Sequence, residues 1–378
     1  MTLKEIILDK VKKKPILFRE FMQLALYYPD LGYYSGPKDK ISSQGDFITA
    51  TTQSSLFART FARQFYLVLS KLGNDTSIIE FGAGNGKFAA DCIDELSKLN
   101  CLPDKYIIIE LSNDLKLRQQ EYVKKNIPKL YDKFIWLNEL PEQKTKAIVF
   151  ANEVLDAMPV DIFESKEGGI FQQGVALETD GNTLKLIDIS ENDNRFNSEV
   201  NRIVNDGVTF EDGYISEINT WIRPWIKALR DSLLQGIVFL CDYGYHRAEY
   251  YSKERNMGTL ACYHQHKVNF DPFVNIGEQD ITAHVDFTAV AEAATEVGFL
   301  LDGYMTQANF LKRSGISEVF TDLSKSLSLK EQLRYNSDIK DLLLNDKLAE
   351  VFKVIAFSLD FDFVLESFDN DDNIDYLL

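Results

Sequence analysis

A chain of 378 residues, 45% hydrophobic and 26% charged, has the composition of an ordinary globular protein, which excludes global disorder and leaves room for one large α/β core with additions or for two domains. With 58 Asp and Glu against 41 Lys and Arg, the formal charge is -17, a surface that repels phosphate backbones and suits a cationic substrate better than nucleic acid. No apolar run approaches the ~18 to 20 residues needed to cross a bilayer, so no membrane partner is expected. The cysteines Cys92, Cys101, Cys241 and Cys262 form no CxxC pair, and Met1 to Leu17 is Lys-rich without a cleavable apolar core or a transit-peptide pattern. Both features favour the bacterial cytoplasm over the mitochondrial matrix.

In chain order, residues 1–75 read as a mostly helical cap, interrupted by the Gly- and Tyr-rich Tyr27 to Gly36 and by a polar loop around Ser42 to Thr52. From Ile78 onward, β-rich runs alternate with helical patterns at Lys87 to Leu99 and Asp114 to Lys125. The runs are Ser77 to Phe81, Tyr106 to Glu110, Phe134 to Leu137, Ala147 to Ala151 and Ile237 to Cys241. This alternation predicts a doubly wound, Rossmann-like α/β sheet of parallel strands over residues 76–310. Between Asp161 and Ser190, short alternating runs broken by Gly168-Gly169 and Asp180-Gly181-Asn182 predict hairpins, part of an insertion over about 160–235. A helix over Glu217 to Gln235 then returns to the sheet. Residues 311–378 read as acidic helical additions with a core strand near 352–357 and a polar tail, Asp369 to Asp375.

The strongest local signal is Ile78-Ile79-Glu80-Phe81-Gly82-Ala83-Gly84-Asn85-Gly86-Lys87, a strand running through a glycine-rich turn into a helix. Glycine allows positive φ and lets a ligand approach the backbone. Dinucleotide-binding loops normally place the third glycine three residues after the second; the compact spacing here, with Glu80 before it, points to S-adenosylmethionine, while a nicotinamide oxidoreductase stays as a rival. Glu110, closing the next strand, suits a ribose diol, with a solvated strand-end acid as the alternative. Asn138 after the third strand is a candidate for the adenine or an ordinary turn residue.

Asn152 and Glu153 end the fourth strand, on the side where open α/β sheets bind ligands. If the following segment turns helical, Glu153 and Asp156 share a face and two carboxylates can grip a guanidinium by charge-assisted hydrogen bonds. The alternative is that Asp156 caps a helix and Glu153 acts alone. All four histidines lie between His246 and His284. His264-x-His266 on a strand, with His284-x-Asp286, raises a metal site, but no metalloprotease-type spacing is present and no metal is expected. His264, His266, His284, Asp242, Tyr243, Gln279 and Asp280 are instead expected to line the substrate face.

Together these segments resemble the MidA-type methyltransferases, relatives of the mitochondrial complex I assembly factor that dimethylates an arginine. The matching segments are Ala25 to Pro29, Gly32-Tyr33-Tyr34-Ser35, Gly45 to Thr49, the glycine loop, Asn152-Glu153 through Pro159-Val160, Asp242 to Tyr245, Phe352-Lys353-Val354 and, most specifically, Gly277 to Phe287. The resemblance implies a class I methyltransferase fold, S-adenosyl-L-methionine as cofactor, and a protein substrate presenting an arginine; it leaves a homodimer open. The family often continues Gly45 to Thr49 with a small residue, Pro and Glu, where this chain has Ala50-Thr51-Thr52. That departure keeps a second reading in view, an assembly factor of little or no catalytic activity that binds a partner protein.

Overall fold

The computed structural model describes residues 1–36, 54–190, 192–325, 327–344, 349–368 and 373–377. The expected polar loop, with the Thr51-Thr52 departure, lies outside them, as does much of the acidic tail. The central sheet carries seven principal strands: β1 (Ser77–Phe81), β2 (Tyr106–Ile109), β3 (Phe134–Leu137), β4 (Thr145–Asn152), β5 (Leu233–Tyr245), β6 (Leu300–Thr306) and β7 (Phe352–Leu359). Their spatial order is β3-β2-β1-β4-β5-β7-β6, with the short strand Val285–Asp286 added beside β5. Strands β1 to β5 run parallel, and β7 is antiparallel to both β5 and β6. This is the expected doubly wound α/β sheet, with the order reversing between β1 and β4.

The β4 and β5 sequences are nearly unbroken apolar runs because helices cover both sheet faces. On one face, helices Ser55–Leu72 and Lys87–Lys98 bring Phe57, Phe61, Phe65 and Phe88 onto Phe150 and Phe239, with Phe88 stacked on Phe150 at 4.3 Å. On the other, helices Ile222–Ser232 and Phe287–Glu296 pack against Val149, Leu240 and Phe357. Each such large side chain removed from water contributes roughly 1.5–3 kcal/mol, so these two layers hold the strand ends rigidly.

A smaller antiparallel sheet contains strands Asp161–Lys166, Gly169–Leu177, Leu184–Asp188 and Ile215–Ile218, extended by Ile16–Leu17 from the N-terminus. Helices Leu3–Lys13 and Phe18–Tyr27 share one core with it, and Arg19 pairs with Asp161 and Asp193. A three-stranded sheet, Ala261–His264, Lys267–Asn269 and Asp280–Thr282, completes that end.

Several boundaries differ from the sequence expectation. Helix Ser55–Leu72, expected within a cap, is a layer of the main core, because its aromatic face packs on β4 and β5. The expected helix Glu217 to Gln235 is a strand, Ile215–Ile218, then the helix Ile222–Ser232; Leu233 to Gln235 already pair with β4, so this helix is a sheet crossover and not part of the insertion. Strand β6 went unread because Asp302-Gly303 interrupts its apolar run at a register shift, and Gly303 sits where a Cβ would fall 2.1 Å from the Phe368 ring.

Candidate active site

A cavity of about 500 Å³ opens at the C-terminal ends of β1, β2 and β4, the crevice where the strand order reverses. Its lining divides by chemistry. One half has Gly82, Gly84, Glu110 and Asn138 with Phe81 and Trp225; the other has Asn152, Glu153, Asp156 and Asp280 with Tyr27 and Tyr34. Among the described residues no lysine, arginine or histidine lines it.

The first half is tied together by one glutamine. Gln119, on helix Asn113–Asn126, donates to the Gly84 carbonyl at 3.0 Å and to Glu110 Oε2 at 2.9 Å, while its Oε1 accepts from the Trp136 indole at 3.1 Å. Glu110 Oε1 accepts from the Ser112 amide at 2.8 Å, so the carboxylate is held at both oxygens. Burial raises its pKa above the usual carboxylate range, and these hydrogen bonds offset only part of the rise. Gly82 and Gly84 take φ of 60° and 54°, in the left-handed region that glycine adopts without strain. At Gly86 a Cβ would meet the Gln119 backbone at 3.2 Å, so this glycine admits the helix that carries Gln119.

The second half grows from a strained backbone. Glu153, the residue after β4, has φ of 52°, uncommon for a side-chain-bearing residue, and its amide donates to the Cys241 carbonyl at 2.9 Å. Buried Asp242 secures the turn that follows: its Oδ2 accepts from the amides of Val154, Leu155 and Asp156 at 3.1, 2.9 and 3.3 Å. Tyr243 donates to Asp156 Oδ2 at 2.6 Å, and Asn152 Nδ2 to Glu153 Oε1 at 3.0 Å. The buried Asp156 Oδ1 and Asn152 Oδ1 have no hydrogen-bond partner among the described residues. Burial, and then the neighbouring Asp156, push the Glu153 carboxyl up to about 8; burial raises Asp156 as well. Carboxylates gathered away from water with no described cation beside them are poised to take one.

The expected site residues therefore separate. Gly82, Gly84, Glu110, Asn138, Asn152, Glu153, Asp156 and Asp280 line the cavity. Glu80 does not: it lies behind the glycine loop, accepting from Tyr106 at 2.8 Å, and burial lifts it to about 8. Gly86, Asp242 and Tyr243 support the wall from behind. Chain order predicted none of the supporting contacts of Gln119, nor the lining by Tyr27, Tyr34 and Trp225.

The model of a family of S-adenosyl-L-methionine-dependent methyltransferases matches residues 60–305, which include the parallel strands β1 to β5 and the cavity's glycine loop and carboxylates. The chain belongs to this methyltransferase family. A bacterial protein from Burkholderia thailandensis, in a crystal structure bound to S-adenosyl-homocysteine, superposes with a TM-score of 0.90 at 34% identity over 98% of this chain and 95% of that one. The protein arginine methyltransferase NDUFAF7, mitochondrial, of Danio rerio is 24% identical over 366 residues, 90% of this chain and 83% of its own length. Its Drosophila melanogaster homologue is 24% identical over 332 residues, 79% of this chain and 71% of its own.

The cavity fits the methyltransferase cofactor on its own geometry. The positive-φ glycines leave the loop bare of side chains, and a Cβ at Gly82 would press on Val154 at 3.3 Å. The histidines expected at the substrate face belong elsewhere. His264 ends a strand and its Nδ1 meets the Glu278 carbonyl at 2.8 Å; His266 sits in a two-residue hairpin turn where Gln265 and His266 have φ of 50° and 60°. The turn breaks the strand alternation that would have aligned the two rings. Gln279 is buried between Asn269 and the Asp271 carbonyl, tying that hairpin. His284 packs on Tyr243 and Tyr245 at 5.2 and 5.4 Å, and burial lowers it to about 4. Asp286 caps a helix and pairs with Arg247 at 3.2 Å. Among the described residues no group of three or more His, Cys, Asp or Glu could hold a metal ion.

Proposed function

We propose that this methyltransferase acts on an arginine guanidinium of a protein substrate, with the glycine-loop half of the cavity receiving S-adenosylmethionine and the carboxylate half receiving the acceptor. The observation that carries the reading is the placement of Glu153 and Asp156 in one cavity that no described cation lines, with an Asp156 oxygen that has no partner among the described residues. When bound, the cofactor supplies a methyl group on a sulfonium, already an activated donor. Glu110 would hold the ribose hydroxyls, Gly82 and Gly84 would let the ligand lie against the backbone, and Asn138 would serve the adenine end. Glu153 and Asp156 grip the guanidinium by charge-assisted bonds and fix the direction of its nitrogen lone pair, so that orientation supplies much of the rate. A proton leaving the acceptor nitrogen late passes to Glu153, the carboxylate beside it.

The names of the Danio rerio and Drosophila melanogaster relatives support the arginine assignment. The resemblance to the MidA-type enzymes suggests a respiratory complex I subunit or its homologue as the target. The bacterial structural relative favours a cytoplasmic setting over the matrix of the mitochondrial ones. No helix among the described residues is long and apolar enough to cross a membrane, and the acidic surface disfavours nucleic acid as a partner. A homodimer is compatible with this reading and not required by it.

Calorimetric titration with S-adenosylmethionine and, separately, with NAD tests the donor half. The expected result is sulfonium-cofactor binding, weakened by about 100-fold or more in Gly84→Val, because a β-branched residue at φ of 54° both strains the loop and fills the cavity. Binding of NAD in its place would sink the assignment. Cofactor binding without methyl transfer to any arginine substrate would favour the assembly-factor reading.

A further inference from the structure

The acceptor half has a third side, contributed by parts of the chain far from the strand ends. Asp280 begins the strand Asp280–Thr282 and is 2% exposed, and Tyr34 donates to its two oxygens at 2.9 and 2.8 Å. The Tyr34 ring stacks on Tyr27 at 5.5 Å with 25° between the planes, and Tyr27 donates to the Ala157 carbonyl at 2.9 Å. The N-terminal segment is thus bolted to the turn that carries Asp156 and to the strand that carries Asp280. All of these residues line the same cavity as Glu153, and Asp280 is close enough for its charge to raise the Glu153 pKa.

We infer that Asp280, positioned by Tyr34, is a third carboxylate contact for the acceptor cation, and that the Tyr27–Tyr34 stack makes this pocket select a guanidinium over an ammonium. The inference rests on the arginine reading above and deepens it. A guanidinium is planar, offers five donors in a rigid fork and stacks on aromatic faces, so it can bond to three carboxylates on two separate segments at once. A lysine ammonium is a compact point charge that keeps its hydration and gains little from the aromatic wall. The buried oxygens of Asp156 and Asn152 that lack partners in the same cavity show that the pocket's polar groups are not closed on themselves. Tyr34 is a positioning residue: its hydroxyl is spent on Asp280, and its action on the acceptor passes through that carboxylate.

The test is calorimetric binding of acetyl-Gly-Arg-Gly-amide and its lysine counterpart to the full chain saturated with S-adenosylhomocysteine. The wild-type protein is expected to prefer the arginine peptide. Asp280→Asn should weaken the arginine peptide about 10- to 100-fold and Tyr34→Phe about 5-fold, from the loss of one charge-assisted contact and of its positioning bond, respectively. S-adenosylhomocysteine affinity should stay within about twofold, and the arginine-over-lysine ratio should fall in both variants. In turnover assays the Tyr34→Phe effect should appear in KM more than in kcat. If Asp280→Asn does not fold, Tyr34→Phe decides, since its ring remains on Tyr27. Unchanged arginine affinity in a variant that still binds S-adenosylhomocysteine overturns the role of the Tyr34–Asp280 pair alone. A wild-type protein that binds S-adenosylhomocysteine but not the arginine peptide overturns the acceptor reading together with it.

Discussion

The two halves of the cavity hold their strand-end carboxylates differently. In the glycine-loop half Glu110 is held at both oxygens by this chain's own donors, Ser112 and Gln119. In the other half Glu153 and Asp156 share a cavity with no described basic residue on its wall, and Asp156 keeps an oxygen without a partner among the described residues. The difference teaches what each half is built to receive. A preorganised, satisfied acid suits a neutral diol whose hydroxyls add to an existing network. Desolvated acids such as Glu153 and Asp156, which no described base offsets, are costly to charge until a cation arrives, and binding the cation relieves that cost.

The largest break in this comparison comes from Glu153→Gln. The amide retains shape and the bond to Asn152 but removes the charge that grips the acceptor, so turnover should fall about 100- to 1,000-fold while S-adenosylmethionine affinity stays within about twofold. Single-turnover methylation and calorimetry on the same preparation measure both. Equal turnover in the variant would remove Glu153 from the acceptor site.

A pH series sharpens the contrast. Glu153 is raised from 4.5 to about 8 in the folded, cation-free protein. Below about 8 a cation must displace a proton to form the ion pair, so arginine-peptide affinity should rise by up to about tenfold per pH unit toward that value and level off above it. Calorimetry in two buffers of different ionisation enthalpy would show the released proton. The linked effect on stability has the opposite sense. The unfolded chain ionises Glu153 from 4.5 upward while the folded chain resists until about 8, so this group's relative stabilisation of the fold is present below 4.5 and lost as pH rises through that window. Glu153→Gln should flatten that decline in thermal melts of the free protein, and a decline that survives unchanged would assign it to other groups.

How much of this was legible in the sequence also divides by region. The glycine loop announces itself because its function is local: a strand, positive-φ glycines and a helix follow within one short segment, and Glu110 closes the next strand. Asn152, Glu153 and Asp156 were equally readable, because the end of a parallel strand is where such a sheet binds ligands. Gln119 was not, since a glutamine on a mostly polar helix carries no mark of meeting Gly84 and Glu110 in space. Tyr34 and Tyr27 looked like an irregular Tyr-rich turn; their role exists only once the N-terminal segment docks beside Asp280. His264 and His266 misled for the converse reason, as spacing suggested a strand where the backbone makes a turn.

The smallest effect is expected from Glu110→Gln, and it asks whether the two halves are independent. Glu110 Oε1 and Oε2 each accept one protein donor, and a glutamine keeps an acceptor on one side while presenting its own N–H₂ toward either Ser112 or Gln119 on the other. One donor then faces a donor, and the ribose loses a charged acceptor, a combined cost of about 1–1.5 kcal/mol, or roughly 5- to 10-fold in S-adenosylmethionine affinity. Because Gln119 also ties the Gly84 carbonyl, part of the loss should travel through the glycine loop and not through the ribose contact alone. The turnover of bound substrate should be nearly unchanged, since no acceptor group touches this network. In a double-mutant cycle with Glu153→Gln, the two free-energy changes should add within about 0.5 kcal/mol. A coupling well beyond that would mean that the acids of the acceptor half respond to how the donor half is held, and the division of the cavity would have to be redrawn around Gln119.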